Sequence, residues 1–162
     1  MKFHYQSPWF IEALEKEKNL TVNELNLNLN CDICIIGGGY TGLWTAIKIK
    51  EKKPHLNIVL IEKDLCGSGA SGRNGGCMIP QSTKFQGIRD VVGVDDAKKM
   101  VLSTEAAVKN IKDFCSENKI NAEIRDDGIL YGATNKFHKG AFESLIKDLN
   151  EDQINSWERL SK

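Results

Sequence analysis

The chain has 162 residues, 41% hydrophobic and 27% charged, and its 22 Lys and Arg balance 22 Asp and Glu. That length is the usual size of a single domain and is enough to bury a core. The composition excludes a disordered chain, no apolar run approaches the ~20 residues of a bilayer-spanning helix, and neutrality supplies no general drive toward nucleic acid.

The first ten residues, MKFHYQSPWF, lack an apolar h-region and a small-residue cleavage site, so they do not read as a secretory leader. Residues 1–30 read as an N-terminal arm. Within it, residues 1–19 predict a short helix with Trp9, Phe10, Ala13 and Leu14 on its apolar stripe. Residues 22–29 alternate Val22, Leu25, Leu27 and Leu29 with polar residues, which predicts an extended segment with one buried face. The five cysteines are Cys31, Cys34, Cys66, Cys77 and Cys115. An odd number without an export signal argues for a reducing, cytoplasmic setting rather than a disulfide framework. Cys31 and Cys34 form a CxxC, but on a strand residues three apart point to opposite faces. They read as small apolar residues of a buried strand, and no second CxxC completes a metal set. No metal is assigned, and His4, His55 and His138 stand isolated in the sequence.

Residues 31–36 (CDICII) predict a buried parallel strand ended by Gly37-Gly38-Gly39. Residues 41–52 predict a helix that stops ahead of Pro54, and residues 57–62 (NIVLIE) a second strand. Strand, helix and strand make a βαβ unit, for which a right-handed crossover is expected. Gly37-x-Gly39-x-x-Gly42 sits where strand passes into helix. The first glycine permits the tight turn, the second lets backbone approach a pyrophosphate, and the third lets helix pack closely on strand. The helix N-terminus then offers free N–H groups and partial positive charge to phosphates. Glu62 ends the second strand 20 positions after Gly42. A carboxylate at that spacing reaches ribose hydroxyls and disfavours a 2′-phosphate. The pattern fits NAD and FAD equally.

Residues 66–77 (CGSGASGRNGGC) follow at once, with five glycines from Gly67 to Gly76. Ser68, Ser71, Arg73 and Asn74 supply donors on a backbone with little side-chain bulk, and Arg suits phosphate recognition. Two glycine loops suit one long ligand, with adenosine at one end and a flavin at the other. Farther on, residues 95–117 predict a long helix with Asp95 as N-cap and Val101, Glu105, Val108, Ile111 and Cys115 in one stripe. Asp126-Asp127-Gly128 predicts a hairpin over 122–133. Residues 138–149 predict a helix with Phe142, Leu145, Ile146 and Leu149 inward.

The run CDICIIGGGYTGLWTAIKI…VLIEKDLCGSGASGRNGG resembles the N-terminal FAD domain of D-amino-acid-oxidase-like (glycine oxidase, sarcosine oxidase) FAD-dependent oxidoreductases. It is most similar to the gamma-glutamylputrescine oxidase type, where GGGYTGL and GASGRNGG occur together. Residues 95–135 resemble that family's following helix and hairpin. The fold implied is α/β: a Rossmann-like FAD-binding βαβ unit, residues 31–90, followed by an incomplete part of an α+β substrate domain, residues 91–162. The resemblance implies that Gly37, Gly39, Tyr40, Thr41 and Gly42 hold the pyrophosphate. It places Glu62 on the ribose with Lys63 beside the adenine end, and Ser71, Arg73, Asn74, Gly75 and Gly76 along the pyrophosphate and flavin side. Chains of that family are much longer, so the sequence is expected to be an N-terminal portion, with the closing FAD strand and flavin-facing residues beyond Lys162.

The activity implied is oxidation of the C–N bond of a small-molecule amine or amino acid, with FAD as cofactor. Hydride passes to the flavin and an imine is formed. No residue of the chain carries a catalytic role on this reading. Two other readings stay open: an adenine-nucleotide or FAD-binding module without redox chemistry, and an NAD-dependent oxidoreductase.

Overall fold

The structure, a computed structural model, describes residues 7–17 and 24–160. It divides into two compact units, Met1–Cys77 and Met78–Lys162. No described helix is long and apolar enough to cross a membrane.

In the first unit, helix α1 spans Pro8–Lys16. Proline at its first position suits the fixed φ of a helix start, and the Ser7 hydroxyl accepts the Phe10 N–H at 3.2 Å as N-cap. Phe10 and Leu14 are half-buried, while Trp9 is exposed. Residues 24–30 are all exposed, Leu25, Leu27 and Leu29 included, so the buried face expected there is not formed. They pair with no described strand, and alternation buries a face only where a sheet offers one. Val22 lies outside the described residues.

Strands β1 (Ile33–Ile36) and β2 (Ile58–Ile61) pair in parallel, Ile33 opposite Ile58 and Ile36 opposite Ile61. Helix α2 (Tyr40–Lys52) is the crossover between them. The parallel arrangement is as the sequence predicts, but the burial is not. Ile33 and Ile35 are half-buried, whereas Cys34 is exposed and Ile36 is 85% exposed. A two-stranded sheet covered by one helix buries one face, and the period of two turns Cys34 and Ile36 to the other. Cys31 lies just ahead of β1, and all five cysteines are free thiols.

In the second unit, α3 (Phe85–Val92) runs into α4 (Val94–Glu117) through Gly93 at φ +83°. Gly93, not Asp95, is the N-cap of α4. A left-handed residue is needed between the helices, and Asp95 and Asp96 fall in the first turn, where acids complement the dipole. Helix α5 spans Glu143–Glu151, starting later than 138 because residues 136–142 form turns. Phe85, Ala97, Val101, Leu145, Leu149 and Ile154 form the buried core, with Ile88 and Trp157 packed against it. Phe85 belongs to this core, and residues 81–90 pack with α4. Asp148 of α5 accepts from Gln86 and Arg89 of α3, each at 2.8 Å.

The hairpin expected over 122–133 is absent: residues 120–134 have no strand. Gly128 does take the left-handed turn, φ +75°. A lone two-stranded hairpin is marginal without a third strand or a covering helix, and Ile129 and Leu130 are exposed here. Tyr131 instead stacks on Trp157 at 4.8 Å between ring centroids. Trp157 Nε1 also donates to the buried Ser82 hydroxyl at 3.1 Å. Trp157→Phe keeps the stacking surface and loses that bond, so it is expected to cost about 1 kcal/mol, read as a lower denaturation midpoint.

Candidate functional site

The sheet ends at two glycine turns built on the same plan. In the first, Gly37 has φ +105° and its N–H donates to the Ile61 carbonyl at 2.8 Å, tying the turn to the end of β2. Gly42 lies so close behind it that a Cβ would stand 2.0 Å from the Gly37 carbonyl oxygen and 3.4 Å from Ile35 Cγ2. In the second, Gly67 has φ +84°, and a Cβ on Gly72 would stand 2.3 Å from the Gly67 oxygen. Each pair is a left-handed glycine followed, five positions on, by one that must lack a side chain.

The turns also join each other. Gly67 N–H donates to the Gly38 carbonyl at 2.9 Å. Tyr40 N–H, the first of α2, donates to Ser71 Oγ at 3.0 Å. The same hydroxyl lies 2.9 Å from where a Gly39 Cβ would be. Asn74 Nδ2 donates to the Ser71 carbonyl at 2.7 Å and reaches the Tyr40 hydroxyl at 3.4 Å. Asn74 Oδ1 in turn accepts Gly76 N–H at 2.8 Å, with Gly76 at φ +74°. Gly75 has open space around its Cβ position. Arg73 is exposed, and its Nε donates to the Ser68 carbonyl at 3.1 Å. Tyr40 and Thr41 are exposed at the start of α2. Ser71, Asn74, Tyr40 and Gly39 are thus brought to one place, and Arg73 and Gly76 lie on the same loop.

Glu62 stands at the end of β2 and turns inward. Its Oε2 accepts the Gly38 N–H at 2.6 Å and its Oε1 the Asp64 N–H at 3.1 Å. The Gly38 N–H foremost, then that of Asp64, hold its carboxyl below the ordinary carboxylate range. Lys63 beside it is exposed. Sequence reasoning did not single out Gly38, which is buried, nor Cys66, whose Sγ lies 2.5 Å from where a Gly38 Cβ would be. It also passed over Gly67 and Gly72 as structural partners, although their spacing repeats that of Gly37 and Gly42.

A dinucleotide fits this arrangement. The first-turn N–H groups of α2 have no intrahelical acceptors. Tyr40 N–H is taken by Ser71 Oγ, those of Thr41 and Gly42 are left to a ligand at the helix start, and an ionised carboxylate stands at the end of β2. Among the described residues no cluster of His, Cys, Asp and Glu has metal-holding geometry.

Residues 32–162 match the family described as FAD dependent oxidoreductase. Over 148 residues the chain is 29% identical to gamma-glutamylputrescine oxidoreductase of Escherichia coli (strain K12), covering 91% of this chain and 32% of that protein. It is 32% identical over 113 residues to the probable oxidoreductase OrdL of Rhizobium meliloti (strain 1021), covering 69% of this chain and 25% of that protein. It is 34% identical over 117 residues to the mitochondrial L-2-hydroxyglutarate dehydrogenase of Dictyostelium discoideum, covering 72% of this chain and 24% of that protein. The chain therefore spans a third or less of the length of these relatives. No solved structure matches it.

Proposed function

The chain belongs to the family of FAD-dependent oxidoreductases, and from that premise we propose that residues 31–76 form its FAD site and serve the oxidation of the C–N bond of an amine or amino acid. The observation that carries the site is the meeting of the two glycine turns through Ser71 Oγ and the Tyr40 N–H at 3.0 Å. One extended ligand can lie along both.

In this reading, Gly39, Thr41 and Gly42 receive the pyrophosphate on backbone N–H groups at the positive end of α2, and Tyr40, whose N–H is held by Ser71, lies beside it. Glu62 accepts from ribose hydroxyls. Its carboxylate has lone pairs to spare after taking the Gly38 and Asp64 N–H groups. Lys63 stands at the adenine end. Ser71, Arg73, Asn74, Gly75 and Gly76 line the pyrophosphate and flavin side, where Arg73 offers a charged donor. The chemistry supplied by a bound flavin is acceptance of hydride from the carbon beside nitrogen, which leaves an imine for water to hydrolyse. The chain's own residues bind and orient, and none of those described is assigned to the reacting carbon.

The Escherichia coli relative, named for gamma-glutamylputrescine, favours an amine substrate. The Dictyostelium relative, named for L-2-hydroxyglutarate, supports a second reading in which a hydroxy acid is oxidised at C–O. Both are compatible with one cofactor site, because the residues assigned here serve the dinucleotide and none is assigned to the substrate.

Titrating the chain with FAD and NAD in parallel tests the proposal. FAD is expected to bind with a change in flavin fluorescence, and NAD far more weakly. Binding of NAD in preference to FAD would overturn the FAD reading. Adenine-nucleotide binding with no preference for FAD would leave only a nucleotide-binding module.

A further inference from the structure

Helix α1 is not needed by the glycine turns as a sequence motif, yet it packs against the second of them. Phe10 Cε2 lies 3.6 Å from the Cβ position of Gly67, and Phe10 Cδ2 lies 3.1 Å from that of Gly72. The Ser7 hydroxyl donates to the Gly72 carbonyl. One ring and one hydroxyl, both half-buried, therefore seat on the two glycines that close this turn. The residue between Ala70 and Gly72 is Ser71, whose hydroxyl holds the first N–H of α2. Gly72 is thus held from the α1 side by Ser7 and Phe10, and its neighbour Ser71 is held from the other side by Tyr40.

We propose that α1 is a brace for the second glycine turn, with Phe10 and Ser7 as positioning residues that keep Ser71 and Asn74 in place to receive the dinucleotide. The inference rests on the FAD reading for what the turn receives, and on the contacts alone for the brace. The physical reason is loop entropy. Residues 66–76 are rich in glycine and have many backbone states to lose on ordering. Two side chains that meet both closing glycines remove much of that freedom before ligand arrives, and preorganisation of this kind raises affinity. At Gly72 the ring approaches so closely because that residue carries no Cβ, while at Gly67 it lies at ordinary contact distance. A side chain at Gly72 would meet Phe10 as well as the Gly67 oxygen.

The test compares the wild-type chain with Phe10→Ala, Phe10→Leu and Trp9→Ala by amide hydrogen exchange without ligand and by FAD titration. Gly67, Ser68 and Arg73 donate their N–H groups within or next to this turn and report on it. Phe10→Ala is expected to raise their exchange by roughly tenfold, with β1, β2 and α4 unchanged as the control for folding. FAD affinity is expected to fall by roughly tenfold. Phe10→Leu keeps apolar bulk and should fall between. Trp9, exposed on the same helix, should change neither readout. Unchanged exchange at these three amides in both Phe10 variants overturns the brace. Faster exchange with undiminished FAD affinity overturns its role in positioning. A wild-type chain that binds no FAD sinks the cofactor reading instead, and the exchange arm still decides the brace.

Discussion

Gly42→Ala is expected to destabilise the chain by about 3 kcal/mol or more and to weaken FAD binding by about a hundredfold or more. Overpacking a site by one methyl costs roughly 1–3 kcal/mol when side chains can shift. Here they cannot, because the obstacle is backbone: the Gly37 carbonyl oxygen, 2.0 Å from the new Cβ. That carbonyl belongs to a turn whose N–H is bonded to Ile61 and whose φ of +105° suits only glycine. To relieve the clash, α2 must move away from β1, and its first-turn N–H groups leave the place where they converge. With total stabilities of order 5–15 kcal/mol, a loss of this size is visible as a lowered melting temperature. Gly75→Ala is the informative contrast. Nothing lies within 4 Å of its Cβ position and its φ is not in the left-handed region, so its stability should match the wild type. A Gly42→Ala chain that melts with the wild type and binds FAD equally would mean that the close packing of α2 on the first turn is unimportant.

How far such features can be read from the sequence depends on the range of the interaction behind them. The βαβ unit is legible because its signals are local: CDICII and NIVLIE are short apolar runs, and three glycines mark the passage from strand to helix. Helix α4 is legible from its stripe of Val101, Glu105, Val108, Ile111 and Cys115, of which Val101 is buried and the rest half-buried. Helix α3 is equally local, with Phe85, Ile88 and Val92 at helical spacing and Gly93 as its stop, and it could have been found. Burial and strand pairing are another matter, since both are properties of neighbours. CDICII has the composition of a strand buried on both faces, but one face is open here. Residues 122–133 have the turn chemistry of a hairpin, including Gly128, but turn chemistry does not supply a sheet to join.

The candidate site divides along the same line. Gly37, Gly39, Gly42 and Glu62 follow from spacing alone. That Ser71 is the serine of the second loop that meets the first does not, because Ser68 has the same chemistry. What separates them is the turn closed by Gly67 and Gly72, which presents the residue just before Gly72. The repeat of the Gly37–Gly42 interval at Gly67–Gly72 is a signal in the sequence for that second turn. The contact of Phe10 with it has no sequence signal, since nothing local links residue 10 to residue 72.

Replacing Glu62 should have the next largest effect, and its pH dependence identifies the cause. In Glu62→Ala, the Gly38 and Asp64 N–H groups lose the carboxylate that accepts them. Hydrogen bonds to a charged group contribute about 1.5–3 kcal/mol when buried. Glu62 is only half-buried and partly screened by solvent, so a cost near 1–2 kcal/mol at neutral pH is expected. Because the folded carboxyl titrates below its unfolded value, its contribution is fully present above the ordinary pKa of about 4.3. It is lost as the pH falls through the depressed folded value. Glu62→Gln has no carboxyl to titrate, so the stability difference between wild type and Glu62→Gln should be largest near neutrality and shrink steadily below about pH 4.3. FAD affinity should fall with either substitution by roughly tenfold or more, since both the proposed ribose acceptor and the bond that holds the Gly38 backbone are weakened. Denaturant melts across pH 2–7 with parallel FAD titrations separate the two roles. If the wild-type and Glu62→Gln curves stay parallel into acid, the ionised carboxylate is not what secures the first glycine turn. If they converge but FAD affinity is untouched, Glu62 secures the turn without serving the ribose.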